Sequence, residues 1–92
     1  MKVTVNYMGQ LKAAAGKGTE IIECSDDASL SGLLAAAAGQ YGSRFIDIVQ
    51  DETGAIRPSL IVIINDVTAD KNAAATLSDG DTVTLLTAIA GG

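Results

Sequence analysis

A chain of 92 residues with 48% hydrophobic and 18% charged side chains makes one small domain with its own core, not a disordered tail. Its formal net charge of −5 argues against nucleic-acid binding, because nothing would neutralise phosphates, and suits a partner with a basic rim. With no histidine and one cysteine, an internal disulfide, a zinc-type site, and Cys–His or Ser–His–Asp catalysis are excluded.

Taken in chain order, Lys2 to Met8 alternates, with Val3, Val5 and Tyr7 on one face and Lys2, Thr4 and Asn6 on the other. That pattern predicts a half-buried strand. It is too short and polar for a secretory core, and no apolar run approaches the roughly 18 residues of a membrane span. The expectation is a soluble cytoplasmic protein with no membrane or nucleic-acid partner. Gly9 to Gly18 reads as a hairpin loop with a short turn at Leu11–Ala15. Thr19 to Cys24 is the second strand, and Cys24 reads as a small apolar residue near its end.

Ser25-Asp26-Asp27 breaks the pattern, and Leu30, Leu33, Leu34, Ala37, Ala38 and Tyr41 then form one apolar helix stripe. Ser29 is its expected N-cap, and Gly39 or Gly42 its end. Ser43 to Ile56 reads as a polar connection holding a short apolar turn, Phe45 to Val49, and the turn-like Asp51-Glu52-Thr53-Gly54. After Pro58, Leu60 to Ile64 is a continuous apolar strand, followed by the turn pair Asn65-Asp66. Val67 to Ala75 reads as a short edge strand and loop, Ser78-Asp79-Gly80-Asp81 as a turn, and Thr82 to Ala88 as the last strand.

A hairpin, one crossover helix and returning strands make an α+β layer, with one main helix on one face of a mixed sheet. One helix covers one sheet face. Leu60–Ile64 is apolar on both, so the uncovered face is expected to carry an apolar partner site. The chain ends Gly91-Gly92, a carboxylate on a stalk without side chains. Asp47, Asp51, Glu52, Asp66, Asp79 and Asp81 lack calcium-loop spacing, and Asp79 and Asp81 flank a turn glycine, so no metal is expected.

Three segments now combine: Arg57-Pro58-Ser59-Leu60-Ile61-Val62-Ile63-Ile64-Asn65-Asp66, Leu77-Ser78-Asp79-Gly80-Asp81-Thr82-Val83, and Ala88-Ile89-Ala90-Gly91-Gly92. Together they resemble the ubiquitin-like β-grasp sulfur carriers of the MoaD/ThiS type. These include the molybdopterin synthase small subunit, the thiamin- and cysteine-pathway carriers and the ubiquitin-related modifiers. The resemblance covers nearly the whole chain. It implies a β-grasp sheet of four to five strands over residues 1–90 and a flexible tail at 88–92. The pathway is left open. Leu86 to Ala90 lacks the proline common before the tail in molybdopterin and cysteine carriers. Ala90 stands where ubiquitin-related modifiers have histidine, and Gly42–Ile56 is longer than in thiamin-type carriers.

The resemblance implies a carrier and not an enzyme, able to serve as the small subunit of a sulfur-transferring complex. A separate E1-like enzyme uses ATP to adenylate the Gly92 carboxylate, and a sulfur donor converts it to a thiocarboxylate. That sulfur passes to an accepting enzyme, such as a molybdopterin synthase large subunit. The chain itself binds no cofactor. Ala88, Ile89, Ala90 and Gly91 are the tail, reaching roughly 17 Å if extended at about 3.3–3.6 Å per residue. Candidates for the docking face are Phe45, Leu60, Val62, Leu85, Leu86 and Ile89, with Arg57 and Lys71 as rim contacts. A competing reading is a protein modifier joined through Gly92 to lysines of targets. A third is an interaction module without covalent chemistry.

Overall fold

The computed structural model describes residues 1–69 and 76–87. The elements are β1 (Lys2–Tyr7), α1 (Gln10–Ala15), β2 (Thr19–Glu23), α2 (Leu30–Tyr41), α3 (Ser43–Val49), β3 (Leu60–Ile64), β4 (Val67–Thr68) and β5 (Thr82–Thr87). The strands form one mixed sheet in the order β2-β1-β5-β3-β4. Only the β1–β5 pairing is parallel. The first and last strands therefore lie side by side, and β5 has a neighbour on each edge.

Strand alternation decides what is inside. Val3, Val5 and Tyr7 of β1 are buried, as are Val83 and Leu85 of β5 and Leu60 and Val62 of β3. The register sets Val5 beside Val83, Tyr7 beside Leu85 and Leu85 beside Val62, so these side chains share one face. They meet Leu11 of α1, Leu30, Leu33, Leu34, Ala37 and Ala38 of α2, and Phe45 and Val49 of α3 in one core.

The α2 stripe forms as its spacing predicts. Ser29 accepts a hydrogen bond from the Gly32 N–H at 3.1 Å, and the chain turns at Gly42 with φ 87°. Two helices lie where the sequence suggested a turn and a polar connection. Isolated helices of six and seven residues are unstable in water, so local propensity gives little signal. Packing holds them: α1 buries Leu11, and α3 buries Phe45 and Val49, one turn apart.

β4 and β3 form a hairpin over Asn65-Asp66, both at positive φ (51° and 69°), the conformation that matches strand twist in a two-residue turn. The last strand ends at Thr87 within the described residues, so Ala88 lies outside them.

One polar cluster ties the core to the sheet. The Tyr7 hydroxyl donates to Glu20 Oε2 at 2.5 Å, and the Tyr41 hydroxyl donates to the same oxygen. The Tyr7 ring meets the Tyr41 and Phe45 rings edge-on, at centroid distances of 5.8 and 5.6 Å. β1, β2, α2 and α3 are thus joined through three aromatic rings and one carboxylate. Burial, reinforced by the Glu20 carboxylate, pushes the Tyr7 hydroxyl pKa up, and the same causes push Tyr41 up to about 12.

These are the only two tyrosines, so ultraviolet titration reads this cluster alone. A pKa raised on folding favours the native state below the unfolded value and loses that contribution as pH rises through the folded one. The folded protein should show no tyrosinate midpoint near pH 10 and should lose stability as pH climbs towards about 12. The urea-unfolded chain should titrate near 10, the ordinary tyrosine value. A midpoint near 10 in the folded protein would contradict the cluster.

Candidate functional site

The two acidic turns recognised in the sequence lie together at the start of β5. The Asn65 side chain donates to Asp81 Oδ1 at 2.8 Å and accepts from the Thr82 N–H at 3.0 Å. The Asn65 N–H donates to the Thr82 carbonyl at 2.9 Å. Asp81 Oδ2 accepts from the Ser78 N–H at 2.8 Å. The Ser78 N–H and the Asn65 amide hold the Asp81 carboxyl below its usual range.

The same turn grips β1. Asp79 Oδ1 accepts from the Lys2 N–H, and the Gly80 N–H donates to the Lys2 carbonyl, each at 2.8 Å. Gly80 sits at φ 84°, which a side chain would strain. Asp79 and Asp81 thus satisfy the backbone of a turn. Among the described residues, no three His, Cys, Asp or Glu side chains gather to hold a metal ion.

β5 then runs between β1 and β3 as far as Leu85 and continues beside β3 to Thr87, which pairs with Leu60. Beside its end, the Met8 N–H donates to the Leu85 carbonyl at 3.1 Å. The segment that follows, Ala88 to Gly92, including the proposed reactive Gly92, lies outside the described residues, as does Lys71.

The sheet face turned away from the helices can be read row by row from the register. Ile21, Thr4 and Thr82 form one row, and Thr19, Asn6, Thr84, Ile63 and Thr68 the next. Leu86 and Ile61 form the last. Half of these ten residues are threonine, and Asn6 donates to Thr84 Oγ1 at 3.4 Å. One apolar part gathers at the end of β5: Leu86, Ile61 and Ile63, all partly exposed, with Met8 alongside at 50% exposure, while Ile21 stands apart on β2.

This placement corrects the expected docking face. Phe45, Leu60, Val62 and Leu85 have no exposed surface, because the strand positions among them point towards the helices and Phe45 lies inside the aromatic cluster. Of the five described candidates, only Leu86 lies on the open face. Ile61, its cross-strand partner, and Ile63, which pairs with Thr84, share that face and were not among the candidates. The alternation of Thr82 and Thr84 with Val83 and Leu85 carried the signal: threonine out puts Leu86 out. Arg57 is held in place, its Nε donating to the Asp47 carbonyl at 2.7 Å. Cys24, partly buried, packs against the core at the end of β2.

The family model described as the ThiS family matches residues 5–92. No curated protein matches the sequence significantly. Among solved structures, SAMP1 of Haloferax volcanii superposes with TM-score 0.88 at 21% identity, covering 100% of both chains. Urm1 of Trypanosoma brucei superposes with TM-score 0.78 at 26% identity, over 99% of this chain and 95% of that one. CysO of Mycobacterium tuberculosis does so with TM-score 0.67 at 23% identity, over 95% and 99%. The fold is therefore the ubiquitin-like β-grasp. Among the described residues, no helix is long and apolar enough to cross a membrane.

The two faces of β5 predict opposite responses. Leu85→Ala opens a cavity in the core and should cost about 2–5 kcal/mol in urea unfolding. Leu86→Asp, its neighbour on the open face, should cost about 1 kcal/mol or less. A larger loss at Leu86 than at Leu85 would overturn the assignment of faces.

Proposed function

This chain belongs to the ThiS family, and from that premise we propose that it is a sulfur carrier whose reactive group is the Gly92 carboxylate. The observation that supports this most is the pairing of β5 with β1 as far as Leu85 and with β3 as far as Thr87, beside an apolar part of the open face. A terminus issuing from a central strand has a rigid base. Leu86, Ile61, Ile63 and Met8 offer a partner a surface next to it.

A carboxylate with an ordinary pKa of about 3.3–3.7 is ionised at neutral pH and a poor electrophile. In the proposed sequence a Gly92 oxygen attacks the α-phosphorus of ATP held by an E1-like enzyme, and pyrophosphate leaves. A persulfide sulfur of the donor attacks the resulting acyl-adenylate carbon and expels AMP, giving an acyl disulfide. A thiol then attacks the donor-side sulfur. This frees the thiocarboxylate and leaves the donor as a disulfide. The carrier supplies the acyl group and the docking face, and the activating enzyme supplies the phosphate-binding groups.

Glycines 91 and 92 let enclosing walls approach the backbone. Ordering them costs on the order of 2–4 kcal/mol. Burying about 160 Å² of apolar surface at about 25 cal/mol per Å² offsets that term. The thiocarboxylate then serves an accepting enzyme in cofactor synthesis, molybdopterin foremost, or in cysteine or thiolation chemistry in the cytoplasm.

A second reading is a protein modifier joined through Gly92 to lysines, which the likeness to SAMP1, titled a small archaeal modifier protein, favours. It shares the adenylate, and a lysine amine replaces sulfur as the nucleophile.

Intact mass after incubation with the organism's activating enzyme, ATP and a sulfur source separates the two. The carrier reading predicts replacement of one oxygen by sulfur. The modifier reading predicts lysine adducts ending in Gly-Gly. Deletion of Gly92 should abolish either product and leave unfolding unchanged. Undiminished product from the deletion variant would refute Gly92 as the required reactive residue.

A further inference from the structure

β2 is an edge strand, and its outer hydrogen-bonding groups can be identified from the register. The Tyr7 N–H bonds to the Gly18 carbonyl, and the Cys24 N–H to the Met1 carbonyl. Antiparallel pairs alternate, so Gly18, Glu20, Ile22 and Cys24 face β1, while Thr19, Ile21 and Glu23 turn their N–H and C=O groups away from it. Among the described residues, no strand follows β2 on that side. Both flanks of this edge are apolar. On the open sheet face Ile21 is 66% exposed. On the helix side a cleft of about 360 Å³ lies between β2 and α2, lined among others by Ile22, Cys24, Leu33 and Ala36.

Side chains fix the shape of this groove. Tyr41, at the end of α2, reaches Glu20 and ties helix to strand there. At the other end of β2 the first turns of α2 carry Gly32 and Ala36, which leave the cleft open. A Cβ added at Gly32 would touch nothing closer than Ser29 Oγ at 3.5 Å.

The surroundings are mainly acidic, although Lys2 lies opposite Glu23 and Lys17 approaches Glu20 at 4.0 Å. Between Lys17 and Arg44 there is no basic residue, whereas Glu20, Glu23, Asp26 and Asp27 fall in that interval. Glu23 and Asp27 stand at the cleft. Asp26 is 98% exposed and pairs with the Met1 ammonium at 3.3 Å. Such an edge repels another copy of this chain, which brings the same acids, a net charge of −5 and a terminal carboxylate. It attracts a basic strand.

We infer that the β2 edge is a second docking site, which takes an extended peptide segment of a partner protein bearing alternate aliphatic residues and flanking lysine or arginine. The peptide adds to the sheet beside β2. Its main chain pairs with Ile21 and Glu23, one set of side chains enters the cleft against Ile22, Leu33 and Ala36, and the other set lies on Ile21. Its basic residues face Glu23 and Asp27. Strand addition of this kind takes affinity from main-chain pairing and specificity from the side-chain pockets. The site is separate from the apolar end of β5 and from the chemistry at Gly92, so either can fail without the other.

The test is nuclear magnetic resonance of the full ¹⁵N-labelled chain titrated with the peptide acetyl-Lys-Val-Ile-Val-Arg-Lys-amide. The amides of Ile21, Glu23, Cys24, Ser29 and Gly32 should shift, and hydrogen exchange should slow at Ile21 and Glu23. The counterpart with glutamate for every basic residue should not bind. Glu23→Lys combined with Asp27→Lys should weaken binding about tenfold or more. Ala36→Leu, at an exposed position, should block the cleft without disturbing the core. Ile21→Pro should remove one outward donor. The inference is overturned if no shifts occur up to about 1 mM peptide, if they fall on Ile61, Thr84 and Leu86 instead, or if the acidic peptide binds equally. It is equally overturned if the edge is occupied by self-association in the free protein.

Discussion

The parallel pairing of β1 with β5 is the constraint on which the rest depends. It brings the two ends of the described fold together at the middle of the sheet. A parallel pair cannot be joined by a tight turn, so everything between the strands must serve as a crossover. The three helices do so on one face. That leaves the other face open and sets β5 between β1, as far as Leu85, and β3, as far as Thr87. A short final strand at an edge would fray. One paired on both sides to Leu85 and with β3 to Thr87 is held in the sheet, and the proposal for Gly92 rests on that.

The acidic turns acquire a role within the same constraint. Asn65 links the β3–β4 turn to Asp81 and Thr82, and Asp79 and Gly80 link the final turn to Lys2. Both turns lie at the end of β5 remote from the tail. Asn65-Asp66 and Asp79-Gly80-Asp81 are engaged in holding the backbone. They set the strand's register, which decides that Leu85 points inward and Leu86 outward. A one-residue slip would exchange the two faces.

Much of this was legible in the chain. The order of strands and main helix, the Ser29 cap, the Asn65-Asp66 turn and the resemblance to β-grasp carriers all follow from residues read in order. Two short helices were not legible, because their stability comes from burying Leu11, Phe45 and Val49 and not from local propensity. The docking face was misread for a related reason. Leu60, Val62 and Leu85 are as apolar as Ile61, Ile63 and Leu86, and hydrophobicity alone cannot separate the faces of a strand apolar on both. Register separates them, and its sequence trace lay in the threonines of β5. The acidic residues from Glu20 to Asp27 were read only as part of the second strand and the break after it. Its place beside an open sheet edge needed the strand order.

The account's central claim is that a single carboxylate, that of Gly92, is the group that reacts. Isotope exchange between pyrophosphate and ATP, catalysed by the organism's adenylating enzyme, reports formation of the acyl-adenylate. A semisynthetic chain carrying a carboxamide at Gly92 differs from the natural one only at that group. The account predicts carrier-dependent exchange with the carboxylate and none with the amide. Equal exchange with both would contradict it.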